Sequence, residues 1–188
     1  MIPVVTIRSA DVRQIVEIFE KINSTGTRLD PVDFMRAITW AEEFDLNHYI
    51  DTAKEALFEF GVSIDAETLI KCVGLTLDVP PKTDGLLQLR SRAPEELRRA
   101  FADTIQSMER VSEFLKAQFG IRSSDFVPYE GQLLLLFKAI GIEGVGGAEA
   151  LAIVRWFWAT GLNESLRGKP DHYVVRAVRT GEGWYEEK

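Results

Sequence analysis

The sequence predicts a mainly all-α protein, a compact bundle of seven or eight helices with one or two residual strands at the N-terminus. Two observations predict this class. From Ala10 onward, apolar residues recur every three or four positions in most segments, as they do on the buried face of an amphipathic helix. The 188 residues, 46% of them hydrophobic, are also enough to bury a proper core. The exception is "IPVVTI" after Met1, which reads as a strand.

Four helices are predicted in the first half of the chain, within "ADVRQIVEIFEKI" (10–22), "PVDFMRAITWAEEF" (31–44), "NHYIDTAKEALFEFG" (47–61) and "SIDAETLIKCVGLTLDV" (63–79). Asn47 is available to cap the third helix and Gly61 to end it. Asp65 is a suitable N-cap for the fourth, which must end before Pro80.

The second half begins with a loop, "PPKTDGLLQLRSRAP", for which we expect one helical turn at most. The longest helix starts near Pro94, with Glu95 and Glu96 at the positive end of its dipole, and Gly120 closes it. Two further helices, "VPYEGQLLLLFKAIG" and "GGAEALAIVRWFWATG", are expected to be buried, the second because it is apolar almost all round. The remaining residues read as a loop, a short helix and a tail.

Composition excludes several classes of function. A net charge of -7 argues against constitutive, sequence-independent binding of nucleic acid or anionic lipid, although a local basic patch is compatible with it. No apolar run approaches the ~20 residues of a membrane span. The single cysteine, Cys72, fits an apolar helical face and indicates a reducing, cytoplasmic setting. His48 and His172 lie far apart outside any metal-binding spacing, so no metal or other cofactor is predicted.

Catalytic motifs are equally scarce. The adjacent carboxylates, such as Glu42-Glu43 and Glu95-Glu96, lie where helix starts and solvated surfaces carry charge. The glycine-rich "GIEGVGGAEA" (141–150) has the wrong spacing for a phosphate-binding loop and follows a helix, so a helix–helix connection is expected there.

Basic and aromatic residues mix near the C-terminus. Between Arg155 and Arg179 the charge balance is +3, which leaves -10 for the rest of the chain. Trp156 and Trp158 lie among these charges, a combination that nucleic-acid sites use. The alternative is that the tryptophans belong to the core and the arginines pair with acidic helices.

The stretch "EKINSTGTRLDPVDF" (20–34) divides into two parts. In "LDPVDF", Asp30 can cap a helix whose first residue is Pro31, so local chemistry accounts for it. "NSTG" is less constrained, because a plain corner between helices does not need three side-chain hydrogen-bonding residues beside one glycine.

The segment "IFEKINSTGTRLDPVDFMRA" resembles the "F-x-x-I-N-x-x-G-x-x-L-x-x-x-D-L" signature of GmrSD-type restriction-system proteins, a ParB/sulfiredoxin-like prokaryotic family. The residues on the motif are Phe19, Ile22, Asn23, Gly26, Leu29 and Asp33, with Phe34 in place of the usual Leu. Weaker similarities follow in "EFDL" (43–46), in "FGI" and "VPY" (119–129), and in "RWFWATGLNESLRG" (155–168). In the last, Leu166-Arg167 departs from the family's Arg-Tyr order.

The resemblance implies a helical region that follows a ParB-like part with a nucleotide-hydrolysing D-G-Q-Q-R motif, which this sequence lacks. Residues 1–10 would be the residual strand of that missing part, 11–162 the helical domain, and 163–188 a basic and aromatic segment packed on it. The family's HNH nuclease portion is also missing. The chain would then act as scaffold, DNA-sensing surface or relay in phage defence, and would not be catalytic alone.

Two sets of site residues follow from that interpretation. Asn23, Ser24 and Gly26 would form the edge of a nucleotide pocket or inter-domain contact, facing the missing part or a partner chain. Arg155, Arg167 and Lys169 are candidates for contacts with DNA phosphates. The competing hypothesis is a protein-interaction module that docks a partner through a Trp156/Trp158 surface, or through the face left by the missing part. An independent enzyme is the third.

Overall fold

A computed structural model of the chain describes residues 44–169, and this part is mainly helical, as predicted. It contains five α-helices, which are α1 (Leu46–Glu59), α2 (Ala66–Thr76), α3 (Pro94–Phe119), α4 (Glu130–Leu136) and α5 (Gly147–Leu162). They are joined by a helical turn (Thr83–Leu86), 3₁₀-helices (Leu87–Ser91 and Ser124–Phe126) and a π-helix (Phe137–Ile142) that continues α4. None of the helices in residues 44–169 has the length and apolar character to cross a membrane.

Several predictions lie outside the described residues. These are the strand at 1–10, the two helices at 10–22 and 31–44 apart from the last residue, Phe44, and the tail after Lys169. The count of seven or eight helices and the proposed domain boundaries therefore stay predictions.

The starts of α1 and α2 depend on aspartates. Asp65 caps α2 as predicted, because its Oδ1 accepts a hydrogen bond from the Thr68 N–H at 2.7 Å. The predicted Asn47 cap of α1 is wrong. Asp45 is the cap and accepts from the N–H groups of Asn47 (3.0 Å) and His48 (3.2 Å). The helix begins at Leu46, so Asn47 already lies in its first turn.

Helix α3 is the centre of the described fold and packs against α1, α2 and the π-helix. It starts at Pro94 and ends at Gly120, which has a left-handed φ of 68°, as the sequence predicts. Most of its predicted apolar stripe is buried, namely Leu97, Phe101, Met108, Val111 and Leu115, while Ile105 and Phe119 are partly buried.

The π-helix replaces the end of a helix that the sequence predicts as regular. Its Gly141 carbonyl accepts from Arg110 of α3 through Nη2 (2.6 Å) and Nε (3.0 Å). Gly141 also lies so close to α3 that an added Cβ would be 2.8 Å from the Ser107 carbonyl oxygen. These contacts fix the π-helix on α3.

Helix α5 departs most from expectation. It is apolar almost all round, which predicts burial on every side, but only Ile153, Phe157 and Thr160 are buried. The prediction of a buried helix is wrong, because side chains of the bundle cover one face of α5 and leave the opposite face exposed. That exposed face borders the candidate site.

Candidate functional site

An apolar groove lies where the turn after α3, the following 3₁₀-helix and the C-terminal half of α5 meet. Its volume is about 600 Å³. The residues that line it are Gly120, Ile121, Arg122, Phe126, Pro128, Phe157, Trp158, Gly161 and Leu162. Such a size and apolar lining are typical of ligand and peptide sites.

Three large apolar side chains at this groove face solvent. Phe126 is 73% exposed, Leu162 79% and Trp158 48%. Isolated exposed apolar residues are normal, but several around one groove mark an interaction surface. We call this surface, defined by the nine lining residues, the Trp158 groove.

The Trp158 groove has a fixed rim. Ser124 binds the loop between α1 and α2, since its N–H donates to the Gly61 carbonyl (3.0 Å) and its hydroxyl donates to the Ser63 carbonyl (2.9 Å). Gly61 has a φ of 80°, and a Cβ there would lie only 2.2 Å from the Arg122 carbonyl oxygen. Only glycine therefore permits this close approach, which holds Arg122 and the 3₁₀-helix in place.

A buried polar contact fixes α5 behind the groove. Gln132 of α4 is fully buried, and its Nε2 donates to the Phe157 carbonyl (2.9 Å) and the Thr160 hydroxyl (2.8 Å). The Thr160 hydroxyl is also within bonding distance of the Trp156 carbonyl (2.8 Å). Because these bonds connect α4 to a single turn of α5, they set which face of α5 points outward.

Aromatic packing sets the orientation of Trp158. Its ring lies edge-on to Phe119 (centroids 5.9 Å apart, 75° between planes) and to Phe157 (5.8 Å, 85°). Phe119 and Phe157 contact each other at 4.3 Å. Edge-to-face pairs are favourable arrangements for aromatic rings, so Trp158 is held in place while about half of its surface stays in solvent.

The two tryptophans do not form one surface. They are two residues apart on α5, which places them on opposite sides of a helix that turns about 100° per residue. Trp156 is half-buried against the hydrophobic core, whereas Trp158 borders the groove. Of the predicted Trp156/Trp158 surface, only Trp158 contributes to the exposed groove.

The predicted DNA-contact residues are all exposed. Arg155 lies on α5 one turn before Trp158 and has no ion-pair partner among residues 44–169. Arg167 and Lys169 follow the end of α5, and Arg167 bonds Glu164 at 2.8 Å. Arg155 therefore lies beside Trp158, while the other two lie in and after the turn that follows α5. The predicted edge residues Asn23, Ser24 and Gly26 are outside the described residues.

Titratable groups of the described core suit structural roles. Burial is the main cause that raises the pKa of the Cys72 thiol far above its usual range, and the neighbouring Glu130 raises it further, against Lys71. The thiol is therefore protonated and unreactive, as expected for a residue on an apolar helical face. Lys71 is buried and pairs with Glu130 of α4 (2.9 Å) and with Glu67 (3.0 Å), which connects α2 to α4. In residues 44–169 no three potential metal ligands cluster together.

Sequence reasoning misses most of the groove. Phe126, Pro128 and Arg122 lie in "IRSSDFVPY", which carries only a weak family similarity. The sequence signal that could indicate the groove is Phe126, an aromatic residue in a turn-forming stretch. No helical face is expected to bury it there.

Comparison of the chain with protein-family models, with curated proteins and with solved structures gives no match. The GmrSD-type resemblance therefore depends on the motif residues alone and stays a prediction.

Proposed function

We propose that this chain is a helical scaffold that docks a partner chain through the Trp158 groove. The single observation that carries this proposal is that α5 and the adjoining turn expose Phe126, Trp158 and Leu162 around one groove of about 600 Å³. Exposed aromatic and aliphatic side chains at a fixed groove are typical anchors of protein interfaces.

Rigidity of the groove supports this proposal. The rim is held by Ser124 against the α1–α2 loop, and α5 is held by Gln132. A surface that is already ordered loses little conformational entropy when a partner binds. A large exposed apolar surface lowers the solubility of a protein unless a partner covers it. Such a surface therefore indicates that a partner binds there.

The biological setting that we propose comes from the sequence motif. It is a GmrSD-type, DNA-modification-dependent restriction protein in the prokaryotic cytoplasm, in which this chain forms a bundle of seven or eight helices after a residual strand. Asn23, Ser24 and Gly26 then face the ParB-like part, which supplies nucleotide hydrolysis. The chain alone has no catalytic role in this proposal, and nucleotide turnover by the purified chain would contradict it.

Site-specific crosslinking in the native cell tests the docking function. A photoreactive benzoylphenylalanine replaces Trp158 in one variant and Phe58 in a matched control. Phe58 is also aromatic and is more exposed than Trp158 (75% against 48%), but it lies near the end of α1 and does not line the groove. We expect position 158 to crosslink to one protein that also binds the purified chain. The affinity of that protein for the chain should fall at least about tenfold in the Trp158→Ala variant. Equal crosslinking at both positions, or none at 158, would refute docking.

DNA sensing is a second candidate function, favoured by one observation. Arg155 is exposed without an ion-pair partner among the described residues and lies one turn from the half-exposed Trp158, so a cation and an aromatic face are adjacent. With Arg167 and Lys169, it would contact phosphates.

Binding of modified and plain duplex DNA at low salt, followed by fluorescence anisotropy, tests this candidate. Reversal of the three charges to Glu should abolish binding and flatten its salt dependence, whereas Arg99→Glu on α3 should change little. If the unaltered chain binds neither duplex, DNA sensing by these residues is excluded.

A further inference from the structure

We infer that the Trp158 groove binds an amphipathic helix of another protein chain that carries acidic side chains beside its apolar face. This inference rests on the proposed docking function and adds the chemistry of the partner. It comes from the spacing of exposed residues on α5, from the shape of the groove and from two cations at its border.

The exposed face of α5 has the pattern of a helix–helix contact. Leu151, Arg155, Trp158 and Leu162 are exposed and are spaced by four, three and four residues. At about 100° per residue they fall within about 60° of one another, opposite the buried Ile153 and Thr160. This is the spacing of the contact positions in paired helices. The stripe extends over about 16 Å, which corresponds to three turns of a partner helix.

The stripe runs directly into the groove. Trp158 and Leu162 belong to both, and the exposed Phe126 of the 3₁₀-helix lines the groove with them. Together they provide an apolar surface along the second half of α5 with a cleft at its end, the form in which amphipathic helices dock.

A helix fits this surface better than an extended peptide does. Apart from Arg122, the side chains on the walls are apolar, so they offer few hydrogen-bond partners to the backbone N–H and C=O groups of an extended segment pressed against them. A helix satisfies these groups internally and presents only side chains to the groove. Residues 44–169 are mainly helical and offer α5, not a sheet edge, at this site.

The charges at the border indicate an acidic partner. Arg122 lines the groove, Arg155 interrupts the apolar stripe, and neither has an ion-pair partner among the described residues. A carboxylate on the partner can pair with each of them, which selects an acidic helix and rejects a basic one.

Designed peptides of about 18 residues, long enough for helical spacing along the stripe, test the inference with the full chain. One peptide carries leucines at helical spacing with flanking glutamates, a second has lysines in place of the glutamates, and a third has the acidic composition in scrambled order. Anisotropy of a dye on each peptide reports binding. We expect the acidic amphipathic peptide to bind at least about tenfold more tightly than either control. Arg155→Glu combined with Arg122→Glu should reverse the preference between the acidic and the basic peptide.

Lys54→Glu, an exposed charge reversal on α1, is the matched control and should leave the preference unchanged. Thermal unfolding of each variant verifies that it folds. The inference is overturned if the acidic and basic peptides bind equally, or if neither binds. Two other results overturn the inference in favour of a different occupant. Single-stranded DNA is the occupant if it binds more tightly than the acidic peptide. A second copy of the chain is the occupant if a concentration-dependent dimer blocks peptide binding. If crosslinking at position 158 still identifies a protein partner, the docking function survives this failure.

Discussion

Helices α2 and α5 are both strongly apolar, yet α2 is mostly buried and α5 is mostly not. In α2 eight of 11 residues are buried, and one of them is Lys71. In α5 only three of 16 are buried, although it carries no more charged residues than α2 does. Helix α2 lies among α1, α3, α4 and the π-helix, whereas α5 is fixed mainly through Gln132 and Phe119 on one side. Burial thus depends on neighbours and not on apolar composition alone.

The difference also separates stability from binding. Buried residues of α2 stabilise the bundle, because their removal leaves cavities or unpaired charges. Exposed apolar residues of α5 contribute little to stability and remain available to a partner. The four predictions below, from the largest expected effect to the smallest, test this separation.

The two faces of α5 should respond differently to truncation. Phe157 is buried and Trp158 is its half-exposed neighbour. Phe157→Ala should lower the free energy of unfolding by about 3–5 kcal/mol, because it leaves a cavity, and Trp158→Ala by about 1 kcal/mol. Urea denaturation followed by circular dichroism measures both. Equal losses would show that the exposed face of α5 is part of the core, and the comparison would fail.

The loop that leads into α2 should support the rim of the groove. Gly61→Ala places a methyl group against the Arg122 carbonyl and should cost about 3 kcal/mol, because two stretches of backbone must separate. Gly120→Ala is the matched control, with a similar positive φ and open space around it, and should cost only about 1 kcal/mol. Thermal unfolding gives the two values. A Gly61→Ala cost no larger than that of Gly120→Ala would mean that the loop and the rim are not in contact.

The buried thiol of α2 should make the free energy of unfolding decrease at alkaline pH. The folded pKa of Cys72 is raised by burial, so its contribution to stability is complete below the unfolded thiol pKa of about 8.5 and is lost as pH rises above it. By about pH 10 the unaltered chain should lose about 2 kcal/mol relative to Cys72→Ala, which has no thiol to ionise. Urea denaturation of both proteins from neutral pH up to that value measures the difference. Parallel pH profiles would contradict the burial of this thiol.

The buried cation of α2 should give the smallest of these effects. Lys71→Met keeps much of the side-chain volume but leaves the Glu67 and Glu130 carboxylates without their shared partner. Both carboxylates are partly exposed, so water replaces part of the interaction and the cost should be about 1–2 kcal/mol in urea denaturation. Combining Lys71→Met with Glu67→Gln and Glu130→Gln should recover part of this loss. No recovery would assign the loss to packing instead of charge.

Local sequence signals predict much of the described fold. Pro94 and Gly120 bound α3 as expected, and Asp65 caps α2, because these residues act through their own backbone or nearest neighbours. The predicted cap of α1 lies two residues late, at Asn47 instead of Asp45, since both residue types serve as caps. The π-helix escapes prediction because it depends on Arg110, which lies far from Gly141 along the chain.

The candidate site is predicted less well than the helices. Composition singles out Arg155 and Trp158, and the structure places them one turn apart on an exposed face. Trp156, singled out with them, packs against the core. Periodicity gives the relative angles of residues on a helix but does not indicate which side of an apolar helix meets the bundle.

The sequence by itself determined the helical class, the ends of α3, the inert setting of Cys72 and the local basic balance near α5, because each depends on spacing, caps or charge within a short window. Only the tertiary structure decided that α5 is exposed along Leu151, Arg155, Trp158 and Leu162. That outcome depends on Gln132, which bonds one turn of α5, and the rim of the groove beside it depends on the close approach of Gly61 to Arg122. Both are contacts between distant segments, for which no local pattern carries the information.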